Sequence, residues 1–316
     1  MELKPEIVTR IEELEKKYNA MGQDLVSYLD GLLYADFLTY WDYIHADTLL
    51  SLQSPKTSFP DEQIFIMYHQ ITELYFKLCL HEFQQLAAQE KPELKFLIAR
   101  LGRVNSYFEN LVRSFEIMVD GMEHQQFLKF RMSLLPASGF QSAQYRMIEI
   151  CATDFIRLVG KDTRDSFNDK SSISEMFEHI YWKAGATELK SGQKTLTLKQ
   201  FEEKYSAQLI KLAETNIDLN IRALVRKLPD ADQKNQKLID TLKMLDVNVN
   251  VNWPLSHYKS AVRYLQKDPE DIKATGGTNW QKYLPPRFQR RIFYPELWTE
   301  KEMEEWGKGW VESVIS

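Results

Sequence analysis

Four titratable side chains recur at intervals of four along DEQIFIMYHQITELYFKLCLHEF, Asp61–Phe83: His69, Glu73, Lys77 and His81. On a helix that spacing puts all four in one stripe. The remainder of the segment is apolar almost all round, with Ile64, Phe65, Ile66, Met67, Tyr68, Ile71, Leu74, Tyr75, Phe76, Leu78, Leu80 and Phe83. Such a helix belongs in the middle of a larger all-helical body. Polar groups there must either meet partners or face a cavity.

Elimination narrows the chemistry. None of the six histidines, His45, His69, His81, His124, His179 and His257, has a Glu three residues before it, so the Glu-x-x-His pairs of di-iron bundles are missing. There is no His-Glu-x-x-His zinc site, no Cys-x-x-Cys, no Gly-x-Ser-x-Gly elbow and no phosphate-binding glycine loop. What remains are uses of a single histidine, among them the proximal ligand of a non-covalent haem, which needs one imidazole beside an apolar slot. His257, in WPLSHYKSAVRYL, suits that role, because Ala261, Tyr264 and Leu265 share its helical face and the small Ala261 leaves room for a flat ring. Taken alone, the segment reads first as an ordinary half-buried histidine. Arg131, in QFLKFRMSLL, is either a snorkelling surface arginine or a fork for a carboxylate. Thr275-Gly276-Gly277 is either a plain turn or a place where backbone N–H groups and a hydroxyl approach a small ligand.

The elements that must position these residues are helical. The chain has 316 residues, 44% hydrophobic and 12% aromatic, with only 12 Gly and 11 Pro. Periodicity predicts helices over Pro5–Tyr18, Leu25–Leu33 (broken by Gly31), 61–83, Glu93–Val119, Glu123–Ser133, Gln141–Leu158, Ser174–Lys183, Leu198–Lys227, Asp232–Leu245, Pro254–Gln266 and Lys301–Ile315. Asn248–Asn252 is read as a connector, and Ser58 as the cap of the central helix. Glu73 and Lys77 are read as a structural pair four apart, and His81 as a core histidine. Without repeats, linkers or composition shifts, one all-α domain over residues 1–316 is the economical architecture. A net charge of −5 with no basic block argues against nucleic acid, and no run is apolar and long enough for a membrane. Cys79 and Cys151 are read as reduced core thiols, and the acidic start of the chain is not that of a secretory signal, so a cytoplasmic protein is expected.

Together the segments resemble the tryptophan 2,3-dioxygenase family. The resemblance runs from about Tyr40 to Trp298 and is carried by TYWDYIHADTLLSLQ at 39–53, DEQIFIMYHQITELYFKLCLHE at 61–82, FLKFRMSLLPASGFQSAQYR at 127–146, SHYKSAVRYL at 256–265, TGG at 275–277 and YPELW at 294–298. It implies a haem b pocket between core helices with His257 as proximal iron ligand, and His69 as the histidine that bonds the indole N–H. It implies that Phe65 packs on the indole, Arg131 clamps the carboxylate and Thr275 meets the amino-acid end of the substrate. It places Tyr40, Tyr43 and Ile44 on N-terminal helices, within 1–50, that complete a neighbouring subunit's pocket in a homotetramer. Phe127 stands where some members carry a tyrosine that also touches the carboxylate. After His257 the helix runs on as RYLQKDPED rather than ending in glycine, and TGG is followed by Thr278-Asn279-Trp280 rather than small serines.

The reaction implied is insertion of both atoms of O₂ across the indole C2–C3 bond of L-tryptophan, giving N-formyl-L-kynurenine, the first step of tryptophan degradation by the kynurenine route. The departures leave open a related haem-dependent aromatic oxygenase acting on a substituted tryptophan or on tyrosine. A haem sensor without turnover would have no use for Arg131 or Thr275, and a haem-free helical scaffold no use for His257.

Overall fold

A computed structural model describes residues 3–134, 139–168, 170–187, 193–265 and 285–307. Its chain divides into two compact units, Met1–Gln53 and Ser54–Ser316. The expected all-α class is observed: among the described residues the only β pairings are two isolated bridges.

The N-terminal unit holds helices α1, Pro5–Ala20, and α2, Leu25–Leu33, followed by single helical turns at Tyr40–Tyr43 and Ala46–Leu49. Asp24 caps α2 by accepting the N–H groups of Val26 and Ser27, and the helix runs through Gly31 instead of breaking there. The unit buries little of its own apolar surface. Among its described residues Leu25 is the one buried hydrophobe, whereas Phe37 is 94% exposed and Tyr34, Tyr40 and Tyr43 are close to three-quarters exposed.

The larger unit is built on α3, Asp61–Ala87. Its start is not capped by Ser58. The Glu62 carboxylate instead accepts the N–H groups of Lys56 and Thr57, both at 2.7 Å, and folds the preceding loop onto the first turn. Nor is α3 buried all round. Tyr68, Thr72, Phe76, Cys79, Phe83 and Leu86 form one buried stripe, while Met67, Ile71, Leu74 and Leu78 stand exposed on another face. The buried stripe packs on α4, Leu94–Ser114, whose Leu97, Leu101, Val104, Phe108 and Leu111 recur at the same spacing. Each such fully buried side chain contributes about 1.5–3 kcal/mol by leaving water. Polar contacts fix the register of the pair: buried Glu82 accepts from Arg100 at 3.2 Å, Arg103 at 3.3 Å and the Tyr107 hydroxyl at 3.3 Å.

The helix expected over Glu93–Val119 turns at Phe115 into the short helix Glu116–Val119. α5, His124–Phe130, follows, and tightens at Arg131 into a 3-10 turn that ends at Leu134. α6, Ala143–Ala152, lies against α3 through Phe76 and Tyr145, 5.6 Å apart. The predicted helix over Leu198–Lys227 is two, α7 at Leu196–Thr215 and a short Ile221–Arg226. Asn216 and Asn220 divide them, and the Asn220 side chain caps the second by accepting from Ala223 N–H. α8, Gln236–Val247, continues through a π-helical turn, Asn248–Asn252, into α9, Trp253–Leu265. Asn248–Asn252 is therefore no connector, and Pro254 lies inside a helix already running.

Candidate active site

Three helices of the larger unit bring aromatic rings and imidazoles together. Phe65 on α3 lies 4.1 Å from His69, centroid to centroid, 6.4 Å from Phe127 and 5.8 Å from Phe130 on α5. Phe127 in turn lies 4.5 Å from Tyr264 on α9, the helix that carries His257. His257 itself packs on Phe115 at 4.6 Å and Trp253 at 4.5 Å. Two hydroxyls stitch α9 to the segment after α4: Ser260 Oγ donates to the Met118 carbonyl at 3.4 Å and Tyr264 Oη to that of Met122 at 3.2 Å.

Both imidazoles are half-buried and both are tied to their own helix. Nδ1 of His69 lies 2.8 Å from the Phe65 carbonyl, and Nδ1 of His257 3.1 Å from the Trp253 carbonyl. A carbonyl only accepts, so Nδ1 carries the proton in each ring and Nε2 keeps its lone pair. Burial pushes both rings toward neutrality. It holds His69 below its ordinary value of 6.5. Burial brings His257 down to about 4, the Trp253 carbonyl opposes it, and proximity to His69 adds to the fall. Phe115, which packs on His257, also lies 5.7 Å from Tyr68, the residue before His69.

A neutral imidazole with Nδ1 bonded to a main-chain carbonyl and Nε2 free is the state that binds iron. The donor chemistry of His257 thus fits a haem. The same state of His69 makes a hydrogen-bond acceptor. Arg131 is buried at the end of α5, next to the Phe130 that packs on Phe65, and burial lowers its pKa. A buried guanidinium suits a carboxylate ligand.

The family model for tryptophan 2,3-dioxygenase matches residues 33–211 of this chain. The chain belongs to that family. Full-length likeness accompanies the match. The tryptophan 2,3-dioxygenase of Bacillus cereus is 28% identical over 282 residues, spanning 84% of this chain and 94% of the relative. That of Bacillus anthracis is 28% identical over the same shares. The one from Ruegeria is 40% identical over 117 residues, spanning 37% of this chain and 42% of the relative.

Within a tryptophan 2,3-dioxygenase fold, the residues singled out from sequence fall into groups. The structure brings Phe65, His69 and Phe127 together, joins them through Tyr264 to the helix that carries His257, and buries Arg131 one residue after Phe130. Thr275 lies outside the described residues, as do residues 135–138 of the stretch LPASGF. Tyr40, Tyr43 and Ile44 are exposed on the N-terminal unit. The lower half of the α3 stripe is not what the spacing predicts. Glu73 pairs with Gln144 rather than Lys77: the Gln144 amide donates to the Glu73 carbonyl and carboxylate, both at 2.8 Å. Lys77 and His81 are exposed, so His81 is not a core histidine. The stripe leaves the interior beyond Glu73 because α3 buries only one face.

Sequence reasoning missed Phe115, Phe130 and Trp253 as walls of this region. Helical spacing was the available signal, since Trp253 lies one turn before His257. It also missed a buried charge cluster behind the site. Glu149 accepts from Arg146 at 3.0 Å, from the Tyr181 hydroxyl at 2.5 Å and from Arg291. Arg146, in the motif QSAQYR, lies over the rings of Phe140, Tyr145, Tyr181 and Trp182.

Proposed function

We propose that this chain opens the indole ring of L-tryptophan with O₂, placing one oxygen on C2 and one on C3 as the bond between them breaks, to give N-formyl-L-kynurenine. The observation that carries the reading is the aromatic chain Phe65–Phe127–Tyr264, which links the helix of His69 to the helix of His257, with each imidazole bonded through Nδ1 to its own helix.

His257 holds haem b through Nε2, its ring fixed by the Trp253 carbonyl. When bound there in the ferrous state, the haem supplies the activation of O₂ that a closed-shell indole lacks. The protein supplies orientation and dryness. His69 Nε2 accepts the indole N–H and sets the ring's rotation. A neutral indole N–H is a very weak acid, so His69 positions the substrate and does not deprotonate it. Phe65, one helical turn away, gives the ring an apolar plate. Arg131 receives the carboxylate in a two-pronged bond, and Thr275 meets the amino-acid end of the substrate. With phenylalanine at 127, Arg131 carries the carboxylate without a tyrosine hydroxyl's help.

The protein works as a homotetramer, with Tyr40, Tyr43 and Ile44 closing a neighbour's pocket. Two features support an assembly: the aromatic surface left bare on the N-terminal unit and the exposed apolar row Met67, Ile71, Leu74 and Leu78 on α3. No described helix is long and apolar enough to cross a membrane, and both cysteines are free, which suits the reducing cytoplasm.

The test is anaerobic reduction of haem-reconstituted protein, followed by L-tryptophan and O₂, with product followed by its absorbance. Wild type forms product, His257→Ala forms none, and Arg131→Ala saturates only at much higher tryptophan. Failure of the wild type to take up haem would overturn the reading.

A further inference from the structure

The helix that presents His257 is not a simple α-helix. α8 enters the π-turn Asn248–Asn252 and emerges as α9 without a break. The cause is local. Pro254 has no N–H to give, and its ring would strike the carbonyl four residues back in a regular α-helix, so the turn before it widens. A widened turn frees backbone groups that need partners. The Val249 carbonyl is met from outside by the Tyr145 hydroxyl at 2.8 Å. Side-chain amides run along the turn: Asn252 donates to Asn248 at 2.9 Å, and Asn250 to Asp246 at 2.7 Å.

Asp246 is the exceptional member. It is fully buried, and no cation pairs with it among the described residues. Besides Asn250, its carboxylate accepts the backbone N–H of Phe293 at 3.0 Å, that of Tyr294 at 3.2 Å and the indole N–H of Trp298 at 3.1 Å. Burial pushes its carboxyl up to about 6, against the pull of those donors. A leucine there would leave those four donors without an acceptor. The carboxylate is therefore retained for what it fixes, and it fixes two things to each other: the π-turn and the chain segment 293–298.

We propose that Asp246 is a positioning residue for His257, holding Asn250 in the π-turn and thereby setting the rotation of α9 that aims the His257 Nε2. The leverage is geometric. One residue gained or lost in the turn rotates everything after it by about 100° and shifts it by about 1.5 Å along the axis. Slippage of the turn would carry His257 off the face it shares with Tyr264, which packs on Phe127. The proposal rests on the assignment of His257 as the iron ligand.

The test uses full-length protein reconstituted with haem, in wild type and in Asp246→Asn, Asn250→Ala, Leu242→Ala and His257→Ala. Leu242 is a buried apolar α8 residue that precedes the turn and offers its amides no hydrogen bond, so it controls for lost stability alone. Two readouts are taken: the rate of haem loss to an excess of apomyoglobin, and the iron–histidine stretching band of the ferrous form. In Asp246→Asn and Asn250→Ala, haem loss rises at least tenfold and the band shifts or broadens. Leu242→Ala lowers the unfolding temperature but keeps the wild-type band. Asn250→Ala leaves Asp246 its other three donors, so it decides the matter if Asp246→Asn does not fold. A wild-type band and loss rate in Asn250→Ala would overturn the proposal. An unchanged iron–histidine band in His257→Ala would instead overturn the ligand assignment beneath it.

Discussion

His69 and His257, on different helices, are held by the same device: each donates Nδ1–H to the carbonyl four residues earlier, Phe65 at 2.8 Å and Trp253 at 3.1 Å. One arrangement thus prepares two lone pairs for two tasks, one for the substrate's N–H and one for iron. It also fixes how the site responds to acid. His69 stays neutral below its ordinary value of 6.5 because burial disfavours the imidazolium. The acceptor form therefore persists to lower pH than in an ordinary imidazole and is lost as pH falls through the depressed value. In kcat/KM for L-tryptophan, which reports the free enzyme and free substrate, the acid limb should lie below pH 6.5. The limb should disappear in His69→Asn. A limb of unchanged position in that variant would remove His69 from the role.

Arg131 should dominate recognition of the amino-acid end. A hydrogen bond to a charged group is worth roughly 1.5–3 kcal/mol, so Arg131→Ala should lower kcat/KM for L-tryptophan about ten- to a hundredfold. The loss should sit mostly in KM. Binding of indole-3-ethanol or another analogue without a carboxylate should change little. Equal losses for substrate and analogue would mean that Arg131 supports the fold and not the clamp.

Phe127→Tyr tests the complementary half of that clamp. Phe127 already packs on Tyr264 at 4.5 Å, so the ring has its place and only a hydroxyl is added. If the hydroxyl reaches the substrate carboxylate, KM for L-tryptophan should fall by up to about tenfold, with kcat nearly unchanged. In Arg131→Ala the same substitution should recover part of the lost affinity. Titration of KM in the single and double variants measures the coupling directly.

Among the described residues, Glu149 is the one carboxylate paired with both Arg146 and Arg291. Removing one partner from a buried ion cluster costs about 3–5 kcal/mol, because the remaining charges stay buried without compensation. Glu149→Gln should therefore lower the melting temperature by roughly 10 °C in a chain of this size. Arg146→Met should cost less, since Glu149 keeps Arg291. Calorimetry of the two variants decides, and equal losses would contradict the ordering.

How much of this was legible in the sequence follows from the range of the interactions. The class and the main helices rest on spacing of apolar residues, and Leu97, Leu101, Val104, Phe108 and Leu111 recur as helical packing demands. Phe65 and His69 share a face by simple periodicity. What failed was what depends on partners distant in the chain. Lys77 lies four residues from Glu73, yet Gln144, distant in sequence, takes the carboxylate. The π-turn was illegible because an Asn-Val alternation carries no periodic signal. Its stability comes from Tyr145 and, through Asp246, from the segment around Phe293. The apolar surround of α3 suggested full burial, but Met67, Ile71, Leu74 and Leu78 face outward, a pattern that sequence cannot tell from core.

That outward surface, with the bare aromatics of residues 34–43, leads to a prediction about subunits. If Tyr43 closes a neighbour's pocket, the site belongs to two chains, and defects in different chains should complement. Tyr43→Asp spoils the segment lent to the neighbour but keeps His257. His257→Ala spoils iron binding but lends an intact segment. Each homo-oligomer should be nearly inactive, whereas co-expression should form mixed oligomers in which one site has both good parts. Activity of the mixture should exceed the sum of the two by a wide margin, and sedimentation should give a particle of four 37.2 kDa chains. A mixture no more active than its parts would place the whole pocket within a single chain.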